Sequence, residues 1–379
     1  MRAKGLNYAV PVLAFAVLSL AVVPGAFASA SHPSTSVAGL VFLQTNSASG
    51  NAIVTYARSS SGALTWVANY SSGGNGTGSD QTAQGSVVLS ANNEWLLAVD
   101  AGSNQISVFK VQTSSTPYLT LTDTVASGGV LPVSLAVHGS LVFVLNDGSA
   151  STPGMITGFH LSSTGRLSPI AGSTELLSTK NATSAEQIGF NPAGHVLVVT
   201  EKGTGLIDLF HVSPTGRTQA AVSYSSVGNG PYGFAFDNRG YLIVSEAASG
   251  SLSSYSVSAP SALATLSGAV PDYQAAPCWV AVTPGPRGTS WAFTTDAHGA
   301  TISSYQLGVG GKLTLIQSDA ATTGAADTDE AIVPSIGVLY VYDAGSNEVQ
   351  GFGIGAGASL TWLQNSTGLV ASAEGLAAF

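Results

Sequence analysis

One motif recurs along the whole chain: a short apolar strand that stops on an acid or an amide. It reads Val-Phe-Leu-Gln-Thr-Asn at 41–46, Trp-Leu-Leu-Ala-Val-Asp at 95–100 and Leu-Val-Phe-Val-Leu-Asn at 141–146. It returns as Val-Leu-Val-Val-Thr-Glu at 196–201, Tyr-Leu-Ile-Val-Ser-Glu at 241–246, Trp-Ala-Phe-Thr-Thr-Asp at 291–296 and Val-Leu-Tyr-Val-Tyr-Asp at 338–343. Successive copies begin 45 to 55 residues apart. A turn follows, Gly-Ser-Asn at 102–104 and again at 345–347, then a strand with one aromatic: Tyr56, Phe109, Phe159, Phe210, Tyr255, Tyr305, Phe352. A further strand of the Gly-Ala-Leu-Thr (62–65) or Gly-Lys-Leu-Thr (311–314) type comes next, and a last one opens the following unit. Four short strands per unit of this length is the pattern of a propeller blade. Seven units predict an all-β, seven-bladed β-propeller of four-stranded blades. The chain enters at a second strand and ends on Glu374-Gly-Leu-Ala-Ala-Phe379, so this tail is expected to complete the first blade and close the ring. Residues 31–379 then form one repeat domain.

Composition narrows the partners. Charged residues are 8% of the chain and the net charge is −9, which argues against nucleic acid as the main partner. Forty-five glycines and 16 prolines disfavour a helical bundle. A single cysteine, Cys278, rules out an intrachain disulfide framework and is read as a buried structural thiol. At the amino terminus, Arg2 and Lys4 precede an uncharged apolar run from Ala9 to Val23 and two small-x-small sites at 26–30. Residues 1–30 read as a signal peptide, too short in its apolar run to span a bilayer. A secreted, extracellular or cell-surface protein with no membrane span in its mature chain is expected. Four sequons, at Asn69, Asn75, Asn181 and Asn365, suit surface loops.

Thr45-Asn46, the Ala-Gly-Ser-Asn turns, the Gly-x-Leu-Thr strands and Val199-Thr200-Glu201-Lys202 together resemble the lactonase family of seven-bladed propellers. That family includes bacterial 6-phosphogluconolactonases and fungal carboxymuconate lactonising enzymes. The resemblance implies a glutamate at the channel mouth, matched here by Glu201. The family's Arg-His pair falls on Glu186 and Gln187, and a further family histidine falls near Val133-Ser134. Loss of those cations points away from a phosphorylated or carboxylated lactone.

The strand-end acids are the richest local signal. Asp100, Glu201, Glu246, Asp296 and Asp343 share one repeat position, with Asn46 and Asn146 in the other two units. Gln84, Glu186, Gln187, Tyr232, Asp329, Glu330 and Glu374 open the adjacent first strands on the same face. One reading makes the strand-end groups acceptors for the backbone of the following turn. The other makes them an acidic ring at the channel mouth, for a neutral or cationic small molecule or a polysaccharide. No cofactor is evident; a Ca²⁺ or Mg²⁺ ion would suit the oxygen ligands of such a ring. Two functions follow. The first is a secreted binding or cell-surface module, with Gln84, Asp100, Gln187, Tyr232, Glu246, Asp296, Glu330 and Asp343 as ligand contacts. The second is a hydrolase of a neutral lactone, with Glu201 and Glu186 as catalytic carboxyls. The six histidines show no metal-ligand spacing, and His298 is read with the others as a surface residue.

Overall fold

The computed structural model describes residues 1, 37–79, 81, 83–114, 116–178, 184–324 and 326–379. Residues 2–30, read above as a signal peptide, and the sequon at Asn181 lie outside them. From Gly39 onward the chain forms seven antiparallel sheets, each numbered here as a blade. Six are four-stranded. In the third blade the outer strand is split into Leu167–Pro169 and Glu175–Leu176, both paired with Met155–Leu161.

The first blade joins the two ends of the domain: Glu374–Ala378 pairs with Gly39–Gln44. Arg58 fastens this join. Its buried guanidinium donates to the carbonyls of Phe379 (2.9 Å), Ala38 (3.0 Å) and Ser59 (2.9 Å). The inner strands of the seven blades touch one another in sequence around the centre, from Glu374–Ala378 through Val87–Leu89 and on to Asp327–Val333, which returns to the first.

Burial explains the residue pattern. The second strand of a blade is covered on both faces by neighbouring blades, so Trp95–Asp100, Leu141–Asn146, Val196–Glu201 and Val338–Asp343 are buried along their whole length. Outer strands such as Leu64–Ser71 have few fully buried positions. The seven third-strand aromatics are all buried and pack between blades as expected. Two of the sequons lie on outer strands, Asn69 in Leu64–Ser71 and Asn365 in Leu360–Ser366, not on loops.

The ladders correct one alignment. Val41 lies opposite the aromatic Tyr56 and Leu96 opposite Phe109. Four residues on from these partners stand Thr45 and Asp100. Thr45, whose N–H donates to the Ala52 carbonyl, therefore holds the strand-end position in the first blade, and Asn46 is one residue beyond it at φ 45°.

Candidate functional site

Antiparallel pairing brings the end of each second strand beside the start of the first: Glu201 opposite Ala185, Glu246 opposite Pro231, Asp296 opposite Pro277, Asp343 opposite Asp327. The expected common face is present, but the acids do not open onto it. Asp100, Glu201, Glu246, Asp296 and Asp343 are all buried to within 1%. Each is turned into the seam between its own blade and the preceding one.

Their partners show why. Asp100 accepts from Ser72 Oγ at 2.5 Å and Asn51 Nδ2 at 2.9 Å, both in the first blade, and from Ser107 in its own. Glu201 accepts from Ser178 Oγ at 2.9 and 3.0 Å and from Thr204 Oγ1 at 2.7 Å. Glu246 accepts from Ser226 Oγ at 2.5 Å. Asp296 accepts from Ser303 Oγ at 2.7 Å and lies against the buried carboxyl of Asp272. Ser72, Ser178, Ser226 and Asp272 all follow the outer strand of the preceding blade. Only Asp343 shows the turn-capping arrangement, accepting from the N–H groups of Gly345 (2.9 Å) and Ser346 (3.2 Å). Glycines make room for the seam: a Cβ at Gly74, Gly129, Gly228 or Gly324 would fall within 2.6 Å of Asp100, Asn146, Glu246 or Asp343 respectively.

Burial raises the carboxyls of Asp100 and Glu246. Burial, with the nearby Asp208, pushes Glu201 to about 7. Burial, with Asp272, pushes Asp296 to about 8. Asp100, Glu201 and Glu246 thereby bridge adjacent blades. Among the described residues, no set of three or more His, Cys, Asp or Glu is placed to hold a metal ion.

The polar residues of the inner strands also turn to protein partners. Gln84 exchanges two hydrogen bonds with the backbone of Val280, and Gln187 does the same with Phe234, at 3.0 and 2.6 Å. Asp329 accepts from the Gly375 N–H at 2.6 Å, and Glu374 accepts from Gln44 Nε2 at 2.7 Å and the Gln81 N–H at 3.0 Å. Gln84, Gln187, Asp329 and Glu330 line one end of a cavity of about 460 Å³ that runs along the inner strands past Leu135 and Ile188 to His138 and Asn191 at their far ends.

A second cavity, of about 390 Å³, opens on the face where the inner strands begin. It is built from four consecutive blades. Lys202 comes from the fourth; Tyr232, Ala247 and Ala248 from the fifth; Ala276, Cys278, Trp279, Ala297 and His298 from the sixth; Ala326 and Thr328 from the seventh. Tyr232 and Trp279 meet edge to face at 5.3 Å and form its wall. Lys202 Nζ stands 4.9 Å from the Tyr232 ring centre and 3.5 Å from Glu186 Oε1. Glu186 sits behind the lysine, 3% exposed, and burial outweighs the attraction of Lys202 to push its carboxyl to about 8. His298 is exposed at the rim. Two buried donors of this lining, Trp279 Nε1 and Thr328 Oγ1, have no hydrogen-bond partner among the described residues. An unmet buried donor costs about 1–3 kcal/mol and calls for a reason.

Of the sequence candidates, the structure thus brings Tyr232 to this cavity and Glu186 next to it. Gln84, Gln187 and Glu330 lie at the central axis, and the strand-end acids lie in the seams. Lys202, Trp279, Thr328 and His298 were not singled out as site residues. Cys278 is buried as expected, yet it belongs to the lining. No helix among the described residues is long and apolar enough to cross a membrane.

Comparison with known proteins agrees with the resemblance read from the sequence. A family model described as lactonase, seven-bladed beta-propeller, matches residues 45–178. No curated protein matches. Among solved structures, a candidate 6-phosphogluconolactonase from Bacteroides fragilis superposes with a TM-score of 0.70 at 18% identity, covering 92% of this chain and 99% of its own. A second such protein, from Bacteroides uniformis, gives 0.72 at 17% identity, covering 90% and 99%. The periplasmic gluconolactonase of Pseudomonas aeruginosa gives 0.68 at 14% identity, covering 90% and 98%. At these identities the likeness is one of fold.

Proposed function

We propose that this chain, a lactonase-like seven-bladed β-propeller, binds a neutral lactone in the Lys202–Tyr232–Trp279–His298 cavity and opens it with water. The observation that carries this reading is the polar equipment of the cavity. Lys202 Nζ can donate, and no carboxylate or amide side chain stands in the lining among the described residues. A lactone carries acceptors, a carbonyl and a ring oxygen, and no intrinsic donor. Its volume suits the usual range of small-ligand sites, roughly 300–1,000 Å³.

The chemistry follows from placement. Lys202 polarises the carbonyl and stabilises the oxyanion as water adds. His298, at the wet rim, takes the proton from the attacking water and returns it to the ring oxygen as the carbon–oxygen bond breaks. Glu186 holds Lys202 against Tyr232 from behind. Glu201, bound by Ser178 and Thr204, takes no part. The leader at 1–30 supports action outside the cytoplasm.

The test is lactone hydrolysis followed by proton release, for the wild type and for Lys202→Met and His298→Ala. Loss of at least tenfold in kcat/KM in both variants, with unchanged melting, is expected. Wild-type rates no faster than buffer across a lactone panel would remove the reading. Binding without turnover would leave the cavity as the site of a binding module.

A further inference from the structure

The mouth cavity also discriminates between lactones. We infer that it takes lactones bearing an apolar substituent in preference to polyhydroxylated sugar lactones; this rests on the reading of the cavity as a lactone site. Beyond the lysine and the two aromatic walls, the lining is largely alanine: Ala247, Ala276 and Ala297 stand around Tyr232 and Trp279. A sugar ring has a hydroxyl on most of its carbons, and each needs an acceptor as well as a donor. Side-chain acceptors are scarce, because the lining holds no Asp, Glu, Asn or Gln among the described residues.

The backbone makes up little of the deficit, because each nearby carbonyl has only one lone pair left. The carbonyls of Ala275, Ala276, Ala297 and Ala326 already accept from the N–H groups of His298, Ala297, Ala326 and Ala344. A ligand hydroxyl pressed against the alanine methyls of this wall therefore loses water without gaining a partner there. Each one left unpaired weakens binding roughly tenfold. An alkyl or aryl substituent gains there, roughly tenfold for each methylene buried. Lys202 remains matched in either case, since both ligand classes carry the same carbonyl.

The experiment compares three six-membered lactones that differ only in substituent: δ-valerolactone, δ-decalactone and glucono-δ-lactone. Turnover is followed by proton release against a buffer blank. The expected order of kcat/KM is δ-decalactone, then δ-valerolactone, then glucono-δ-lactone, with at least a hundredfold between the extremes. Ala297→Asn, which adds a donor and an acceptor at a half-buried position of the wall, should narrow that gap by at least fivefold with the melting midpoint unchanged. A rate on glucono-δ-lactone equal to or above that on δ-decalactone overturns the inference and leaves the lactone site standing. Rates at the blank for all three overturn both.

Discussion

Gln84 crosses the centre of the ring and pairs its side-chain amide with the backbone of Val280, Nε2 donating to the carbonyl at 3.0 Å and Oε1 accepting from the N–H at 3.1 Å. The two residues belong to the second and sixth blades. The rest of Gln84 is equally engaged: its N–H donates to the Glu186 carbonyl at 3.1 Å and its own carbonyl accepts from Ser134 Oγ at 2.6 Å. One residue of the second blade thus ties the third, fourth and sixth together across the axis. Gly233 makes the crossing possible, since a Cβ there would stand 2.3 Å from Gln84 Oε1.

Replacing Gln84 with alanine leaves the N–H and carbonyl of Val280 without partners at the core of the ring. A loss of about 2–4 kcal/mol is expected, from two buried backbone groups at about 1–3 kcal/mol each with partial relaxation. Urea unfolding measures it, and an unchanged midpoint would show that water or another side chain fills the gap.

Arg58 should be worth at least as much. Its guanidinium satisfies three carbonyls where the first and last strands of the domain meet. Arg58→Met keeps the apolar stem and removes every donor, so a cost of about 3 kcal/mol or more is expected. Arg58→Lys should recover only part of it, because a single ammonium cannot span the fork. Equal stability of the lysine and arginine forms, read from thermal or urea melts, would contradict this geometry.

Stability should fall as pH rises from about 4 to about 8. Asp296 is raised from 3.8 to about 8 by burial and by Asp272, so the folded protein keeps a proton that the unfolded chain gives up. Where the folded state binds more protons, unfolding free energy drops with increasing pH. The contribution is complete below about 4 and spent once pH passes about 8. Glu201, raised to about 7, acts in the same direction. Melting midpoints taken at pH 5 and pH 8.5 should therefore differ, with the lower pH higher. Asp296→Asn should flatten the profile; a variant profile as steep as the wild type would assign the effect elsewhere.

Glu201→Ala should show its cost in stability. The change strands Ser178 Oγ and Thr204 Oγ1 in the seam between the third and fourth blades, at about 1–3 kcal/mol. Hydrolysis at a temperature well below the new midpoint should stay within about twofold of wild type. A large loss of kcat in a fully folded variant would return Glu201 to the chemistry.

The strand-end acids show how far sequence pattern reaches. Their recurrence was visible because each sits one strand-length beyond the start of an apolar run. The same position serves a ligand ring or a blade seam, and linear spacing cannot separate the two. What decides it is the serine or aspartate that closes the preceding blade, Ser72 for Asp100 and Ser226 for Glu246, brought into contact only by the packing of one sheet on the next. The recurring glycines at 74, 129, 228 and 324 carried that signal, since a glycine so placed leaves room for the next blade's acid. In the first blade the count failed by one residue, because the ladder puts Thr45 where repetition suggested Asn46.

The sequence by itself determined the ring: seven apolar strands at a regular period, an aromatic in each third strand, and a tail that completes the first blade. These are repeated features, and repetition is legible without coordinates. The cavity at the mouth is built from features that occur once. Lys202 follows one strand, His298 another, and Trp279 and Thr328 lie near the starts of two more, drawn from three of the seven blades. Only closure of the ring sets them side by side. Only the packing shows that Gln84, as donor and acceptor, and the strand-end acids, as acceptors, are already engaged within the fold.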